Sequence, residues 1–304
     1  QMMRDPAQGK FVYPEMTRDA VLYGGTDPGR FCPTYMIFCE SFIPPRCKKD
    51  TDPNFDRRDV YIITQNALAD GTYLNYIRAH YNRSRQQDPP FFQELLRGPK
   101  ERELNYTTNL LARLAFAVLD RPFLSLGAKI EQRRRAAGVY PPKEIYIATP
   151  DDSQRCFQEY LYDAQRRAEH DRNFPHEPRQ LKPGEDVRIV DNKVQVSGQV
   201  AVMSINALIA KVMFDQNPTN EFFVEESFPL DWMYPHLTPF GIIMKVNRQP
   251  LPALSEEILA RDHEFWSRYS ERLIGNWITY DTPVKEIAQF AEKLYLRRDF
   301  SGFK

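Results

Sequence analysis

The stretch RDVYIITQNALADGTYLNYIRAHY, residues 58–81, carries the clearest evidence for the fold class. Residues 60–64 are all β-branched or aromatic, which is typical of a buried strand. Asp70 then stands before a segment in which Tyr73 and Ile77 recur at helical spacing, and aspartate is a favoured N-cap. The stretch therefore predicts a strand, a short polar loop and a helix.

The same unit occurs on either side of this stretch. In VLYGGTDPGRFCPTYMIF, residues 21–38, an apolar run predicts a strand over 20–23, and a helix is expected near 33–41 after a loop with three glycines. In KEIYIATPDDSQRCFQEYLYDAQRRAEH, residues 143–170, a strand is predicted over 145–148.

The helix that follows residue 148 has the clearest start in the sequence. Thr149, Pro150 and Asp152 fall at the N-cap, N1 and N3 positions of a capping box. Proline at N1 loses no hydrogen bond, because the N–H at that position has no partner within the helix. The helix is therefore predicted to begin at Pro150.

A variant of this strand, loop and helix pattern follows. VRIVDNKVQV, residues 187–196, predicts a hairpin, and the apolar segment 200–214 predicts a helix. Strands are expected in 221–228 and 242–246, on either side of an aromatic loop over 229–241. The alternation predicts an α/β fold, a Rossmann-like three-layer sandwich with a mostly parallel sheet.

Two parts of the chain lack this alternation. Residues 83–143 carry PPFFQELLRG and LNYTTNLLARLAFAVLDRPFLSLGAKIEQRRR, whose apolar periodicity predicts a helical insertion. Residues 255–304 also have helical spacing, and Ser255 is a suitable N-cap. We therefore predict an α/β domain over residues 1–254, interrupted by this insertion, and a helical tail over 255–304.

The composition is that of a folded globular protein. Of 304 residues, 42% are hydrophobic, and 41 basic residues balance 41 acidic ones. Because a neutral chain has no overall field that attracts nucleic acid, we expect no nucleic-acid partner. No apolar run reaches the ~18–20 residues of a membrane span. The cluster EQRRRAAG, residues 131–138, is typical of a solvated helix face.

In an open parallel sheet, ligands bind beyond the carboxyl ends of the strands. The binding candidates are therefore the residues that follow the predicted strands, together with a tryptophan of the aromatic loop. They are Gly24, Gly25, Thr26, Asp27, Gly29, Arg30, Gln65, Asn66, Asp151, Asp152, Glu225, Glu226 and Trp232. We call this set the predicted rim.

The predicted rim is acidic, and aromatic residues accompany it. Its carboxylates would repel a nucleotide's phosphates unless a divalent cation lay between them, and its glycines lack the spacing of phosphate-binding loops. Carboxylates and amides beside Tyr23, Tyr35, Trp232 and Tyr234 suit a hydroxyl-rich ligand such as a sugar. Each member also has a structural explanation, since glycines permit tight turns and aspartates cap helices.

No grouping of residues identifies a nucleophile, a zinc site or a cofactor. The five histidines are scattered, the four cysteines lack CxxC spacing, and no GxSxG motif occurs. We expect no metal or cofactor, with a divalent cation at the acidic rim as the open alternative. Free thiols and a disulfide such as Cys39–Cys47 are both compatible with the sequence.

Four long motifs carry a family resemblance. They are AVLYGGTDPGRFCPTYMIFCESFIPP, FDRRDVYIITQNALADGTYLNYIRAHYNRS, YPPKEIYIATPDDSQRCFQEYLYDAQRR and FFVEESFPLDWMYPHLTPFGIIMKVNRQP. These motifs resemble the extramembrane C-terminal part of a bacterial family of polytopic membrane proteins, whose membrane half is similar to protein O-mannosyltransferase-like glycosyltransferases. In distant relatives the first motif resembles a GGDNDTF loop. Gly24, Gly25 and Asp27 match that loop, as does Phe31, whereas residues 28–29 depart from it.

The resemblance implies a domain that faces the periplasm or the cell exterior. The membrane half would lie outside the present chain and would hold the catalytic acid and the lipid-linked donor. Relatives are often followed by tetratricopeptide-like helices, with which the predicted tail agrees.

Three functions are open at this point. The first is a non-catalytic binding domain that positions an acceptor glycan or protein near a membrane active site. The second is a free-standing, metal-assisted enzyme that acts on a nucleotide-sugar. The third is a scaffold that docks other proteins, which exposed apolar patches over residues 104–130 would favour.

Overall fold

Short strands alternate with longer helices in the computed structural model of the chain, so the predicted mixed α/β class is confirmed. The structure describes residues 14–25, 31–48, 53–82, 91–103, 107–138, 141, 143–190, 193–225, 229–270, 282–299 and 301. Two compact units are present. Gln1–Asp56 and Pro218–Lys304 form the first unit, and Arg57–Asn217 form the second.

The described elements are seven strands and eleven α-helices. The strands are β1 (Val21–Gly24), β2 (Tyr61–Thr64), β3 (Asp186–Val190), β4 (Lys193–Ser197), β5 (Phe222–Glu225), β6 (Leu237–Phe240) and β7 (Ile243–Val246). The helices are α1 (Phe31–Thr34), α2 (Glu40–Phe42), α3 (Gly71–Tyr81), α4 (Phe91–Leu96), α5 (Pro99–Glu103), α6 (Leu110–Ala115), α7 (Arg121–Ala136), α8 (Pro150–Asn173), α9 (Gln199–Gln216), α10 (Glu256–Ser270) and α11 (Val284–Ala291). Turns of π-helix occur at Tyr35–Cys39, Phe116–Asp120 and Glu292–Leu296, and 3-10 turns at Pro45–Cys47, Gln65–Ala67 and Asp231–His236.

Strand pairing in the first unit is mixed. β1 lies parallel to β5, with Leu22 opposite Phe223. β7 is antiparallel to β5, and β6 is antiparallel to β7. β6 is a correction, because its residues were interpreted as part of an aromatic loop. Pro239 weakens the strand signal, but a proline is tolerated here since β6 is at the edge of the sheet.

Aromatic side chains fill the core of the first unit. All four residues of β1 are buried, as expected for a strand covered on both faces. The Tyr23 and Phe222 rings lie 5.5 Å apart, and those of Phe223 and Phe240 lie 4.8 Å apart. The guanidinium of Arg248 lies 4.8 Å from the centroid of the Phe222 ring, a cation–π contact.

Local signals for the second unit are confirmed. Asp70 caps α3 by accepting a hydrogen bond from the backbone N–H of Thr72 at 2.8 Å. The capping box predicted at Thr149 opens α8. The predicted hairpin is the antiparallel pair β3–β4, in which Val187 lies opposite Val196.

The strand predicted over residues 145–148 is wrong, since this buried segment carries no strand. Side chains from distant parts of the sequence make hydrogen bonds to the backbone of this segment, as a neighbouring strand would do in a sheet. The amide of Asn217 accepts the N–H of Tyr146 at 2.7 Å and donates to its carbonyl at 2.9 Å. Arg78 donates to the carbonyl of Ala148 at 2.8 Å. These contacts therefore satisfy the backbone of Tyr146 and the carbonyl of Ala148 without a strand ladder.

The predicted insertion and tail are helical. Helices α4 to α7 lie in the insertion, where the described residues include no strand, and α4 packs against α6. In the tail, the Oγ of Ser255 accepts the N–H of Ile258 at 3.3 Å, as expected of an N-cap for α10. None of the helices described here has the length and apolar character needed to cross a bilayer.

Candidate functional site

The predicted rim is divided between the two units. Gly24, Gly25, Glu225 and Trp232 belong to the first unit, whereas Gln65, Asn66, Asp151 and Asp152 belong to the second. The remaining members lie outside the described residues, and they are Thr26, Asp27, Gly29, Arg30 and Glu226.

In the second unit, Asp152 is a structural residue. Its Oδ2 accepts the N–H of Thr149 at 2.9 Å and also the hydroxyl of Tyr146, while its Oδ1 accepts a hydrogen bond from Arg155. Burial raises the pKa of this carboxyl, but the hydrogen bonds from Tyr146 and Thr149 outweigh burial and lower the pKa. Both oxygens are engaged, so the capping explanation of Asp152 is the one that the geometry favours. Its neighbour Asp151 is exposed.

The backbone of the loop that follows β2 is hydrogen-bonded by a side chain that the sequence analysis did not identify. Asn206, fully buried in α9, donates to the carbonyl of Asn66 at 2.9 Å and accepts the N–H of Ala69 at 2.6 Å. Gln65 in the same loop is fully buried, so its side chain is not presented to solvent. The available signal was an amide within the mainly apolar helical run over residues 200–214.

In the first unit, the members of the rim differ in exposure. Gly24 and Gly25 are buried, and Tyr23 packs in the core, so that ring is not available for stacking on a sugar. Trp232 and Glu225 are half-buried. Trp232 makes an edge contact with His236 at 6.1 Å between ring centroids.

Exposed aromatic surface is present near Trp232. Tyr234, in the same 3-10 turn, is 61% exposed. Tyr35 is exposed as well. These two rings therefore keep the solvent access that stacking on a sugar would require.

Metal and thiol chemistry can be assessed for part of the chain. Within the described ranges, no group of three or more histidine, cysteine, aspartate or glutamate side chains could hold a metal ion. Cys32, Cys39 and Cys47 are exposed free thiols, so the structure does not contain a Cys39–Cys47 disulfide. Cys156 is buried, and burial raises the pKa of its thiol to about 11.

The most distinctive surface in the described residues lies on the helical insertion. Eight large apolar side chains of α6, the π-turn and α7 are each between 43% and 67% exposed, and six of these recur at steps of three to five residues. We call them the apolar stripe, and they are Leu111, Leu114, Val118, Phe123, Leu126 and Ile130.

The π-turn keeps these side chains on one face. The steps along the stripe are three or four residues, except for five residues between Val118 and Phe123. A step of five would leave the face of a regular α-helix. However, the N–H of Arg121 donates to the carbonyl of Phe116 in an i→i+5 bond, and the wider turn takes up one residue. The stripe therefore runs unbroken from α6 into α7.

The buried positions of α6 are occupied by small side chains. Ala112 and Ala115 are almost fully covered, and α6 packs against α4. Asp120 is buried there too, where its carboxylate accepts the N–H groups of Phe92 at 2.9 Å and Gln93 at 2.7 Å. Helix α6 thus buries Ala112 and Ala115 while the larger Leu111 and Leu114 are exposed, the reverse of the usual arrangement.

The C-terminal end of α7 is basic, and its three consecutive arginines have different roles. Arg133 and Arg134 are exposed, as predicted for a solvated helix face. Arg135 is instead mostly covered and donates to the carbonyl of His80 at 2.7 Å and to that of Pro141 at 3.2 Å. Arg135 therefore links the C-terminal end of α7 to the backbone of other segments, while Arg133 and Arg134 face solvent.

No protein-family model, curated protein or solved structure matches this chain. The geometry of the residues therefore carries the functional argument. The apolar periodicity of residues 104–135 predicted helices, but it did not show which face would be covered.

Proposed function

We propose that this chain is a non-catalytic docking domain that binds a macromolecular partner through the apolar stripe. The observation that carries the proposal is the apolar stripe itself, whose six large side chains are exposed while Ala112 and Ala115 of the same segment are buried. Contiguous apolar surface on a protein commonly marks an interaction site, because leaving it in water is unfavourable. This observation favours the scaffold among the three functions drawn from the sequence.

The proposal includes the context that the resemblance implies. The chain would be an extramembrane domain of a membrane glycosyltransferase-like protein, on the periplasmic or outer side, and would help to position an acceptor protein or glycan. The parallel pairing of β1 with β5 and the alternation of strands with helices support a Rossmann-like arrangement. Exposed Tyr35 and Tyr234 support a contact with a sugar ring.

The metal-assisted enzyme has less support. Such an enzyme would hold its ion with Asp151, Asp152 or Glu225 of the predicted rim. Both oxygens of Asp152 are already engaged by Thr149, Tyr146 and Arg155. A cation would have to displace hydrogen bonds that hold the start of α8.

Photocrosslinking in cells that produce the full-length protein tests the docking function. A photoreactive phenylalanine analogue is placed at Val118 or Leu126 of the stripe, and at Tyr162, which is 75% exposed on α8, as the control. We expect adducts from the two stripe positions and none from position 162. Leu114→Asp, in the same stripe, should remove those adducts. No adduct from the stripe to either a protein or a lipid, or the same adducts from position 162, would contradict the proposal.

A further inference from the structure

We propose that the partner of the apolar stripe is the surface of an anionic lipid bilayer. The inference rests on the proposed docking function and names the chemistry of its partner. It is carried by two features on the same helical segment, the exposed apolar side chains and the sign of the exposed charges around them.

The charges on this segment are strongly biased. Residues 107–138 contain six basic and two acidic side chains, although the whole chain is neutral. Of the acidic pair, Asp120 is buried and Glu131 is half-buried. Five of the six basic side chains are exposed, and they are Arg113, Arg121, Lys129, Arg133 and Arg134. The surface around the stripe therefore presents cations, which complement an anionic partner.

The shape of the segment suits a flat partner. Helices α6 and α7 and the π-turn between them run from residue 110 to residue 136, about 40 Å at the helical rise of about 1.5 Å per residue. A ridge of this length, with leucine and phenylalanine on its outer side and basic residues beside them, has the pattern of helices that lie in the plane of a membrane interface. Short peptides would cover only part of it.

Aromatic side chains of α4 extend the exposed apolar surface beyond the apolar stripe. The rings of Phe91 and Phe92 lie 5.1 Å apart, and that of Phe92 lies 6.5 Å from the ring of Phe123. Phe91 is exposed, as are Leu95 and Leu96 on the same helix. Aromatic rings are favoured at the boundary between headgroups and acyl chains, so α4 extends the proposed contact.

Apolar insertion and electrostatic attraction would act together. Each exposed Lys or Arg near an anionic surface contributes attraction that falls off within a Debye length, so binding should weaken with salt. The apolar stripe should supply the part of the binding that salt does not remove. Loss of either feature is therefore expected to weaken binding.

Vesicle flotation with the 304-residue chain tests the inference. Vesicles of equal parts phosphatidylglycerol and phosphatidylcholine are compared with vesicles of phosphatidylcholine alone. We expect the chain to float with the anionic vesicles and to bind the neutral ones at least about tenfold more weakly. Raising the salt concentration should lower, but not abolish, binding to the anionic vesicles.

Matched variants separate the two features. Val118→Asp with Leu126→Asp should abolish flotation, whereas Tyr162→Asp on α8 should leave it unchanged. Arg133→Gln with Arg134→Gln should weaken binding about tenfold or more, whereas Arg166→Gln with Arg172→Gln, at exposed positions of α8, should not. Circular dichroism of each variant confirms that the comparison is between folded chains.

The outcomes distinguish this inference from the docking function itself. Absence of flotation, equal binding to both kinds of vesicle, or equal damage from the α8 controls would overturn the lipid inference. If Val118 then still crosslinked to a protein in cells, the docking function would stand with a protein partner. If neither vesicles nor crosslinked adducts were found, both proposals would fall.

Discussion

The buried carboxylate of Asp120 accepts the backbone N–H of Phe92 at 2.9 Å, across 28 residues of sequence. The same carboxylate accepts the N–H of Gln93, so it caps the first turn of α4 from the π-turn that precedes α7. This contact helps to hold the small face of the α6–α7 segment inward. The large apolar side chains are left outside, where the proposed docking surface lies.

Asp120→Ala should loosen the insertion. The change leaves two N–H groups of α4 without their acceptor, and we expect a loss of about 1–2 kcal/mol in the free energy of unfolding. Urea unfolding measures the loss, and hydrogen exchange of the Phe92 and Gln93 amides locates it. Asp120→Asn keeps one acceptor and should lose less. Unchanged protection of those two amides in the alanine variant would show that the cap is unimportant.

A second prediction concerns the ion pair that joins α8 to the β3 end of the hairpin. Glu185 is buried, and its Oε1 accepts hydrogen bonds from Tyr160 and from Arg167, each at 2.8 Å. Arg167→Ala leaves this carboxylate buried without its cation, so we expect the free energy of unfolding to fall by about 3–5 kcal/mol. Thermal or urea unfolding provides the measurement.

The adjacent arginine is a matched control for this change. Arg166 also pairs with an aspartate, Asp163, at 2.9 Å, but both side chains are well exposed. Arg166→Ala should therefore change the free energy of unfolding by less than about 1 kcal/mol. Equal losses from the two alanine variants would mean that burial does not decide the strength of these pairs.

Glu185 should also make stability depend on pH. Burial raises its pKa, but hydrogen bonds from Arg167, from the N–H of Lys182 and from Tyr160 outweigh burial and lower the pKa to about 2, from an ordinary value of 4.5. Because the pKa is lower in the folded chain, this group stabilises the fold above pH 4.5, and its contribution is lost as the pH falls toward 2.

The pH prediction is tested by difference. Wild-type chain and Glu185→Gln are unfolded with urea at several values between pH 6 and pH 2.5. We expect the gap between their free energies of unfolding to narrow as the pH falls below 4.5, since the glutamine cannot titrate. A gap that stays constant over this range would contradict the assignment. Other carboxyl groups whose pKa is lowered by folding, such as that of Asp152, are present in both chains, so their contributions to the difference in unfolding free energy cancel.

A fourth prediction separates the two neighbouring aspartates at the start of α8. Asp152→Ala removes the N3 member of the capping box, and we expect a loss of about 1–2 kcal/mol in the free energy of unfolding. Asp151→Ala, at an exposed position, should stay within about 0.5 kcal/mol of wild type. If Asp151→Ala proved the more damaging change, the assignment of Asp152 as the structural residue would be wrong.

Features that depend on neighbours a few residues apart could be predicted from the sequence. Asp70, Thr149 and Ser255 cap helices as predicted, because each side chain bonds a backbone N–H within three residues. Alternation of apolar and polar residues likewise predicted the β3–β4 hairpin, and the apolar run over 200–214 predicted α9. Such local choices need no knowledge of the rest of the chain.

Features whose partners are distant in sequence could not be predicted in this way. The pattern of residues 145–148 predicts a strand, but Asn217, 71 residues beyond Tyr146, bonds the backbone of Tyr146 instead. The same holds for Gln65 of the predicted rim, which the packing around its loop buries. The amphipathic pattern of the insertion did not specify its inner face. That choice was made when Asp120 bonded α4 and the alanines packed against it, which left the larger apolar side chains in solvent.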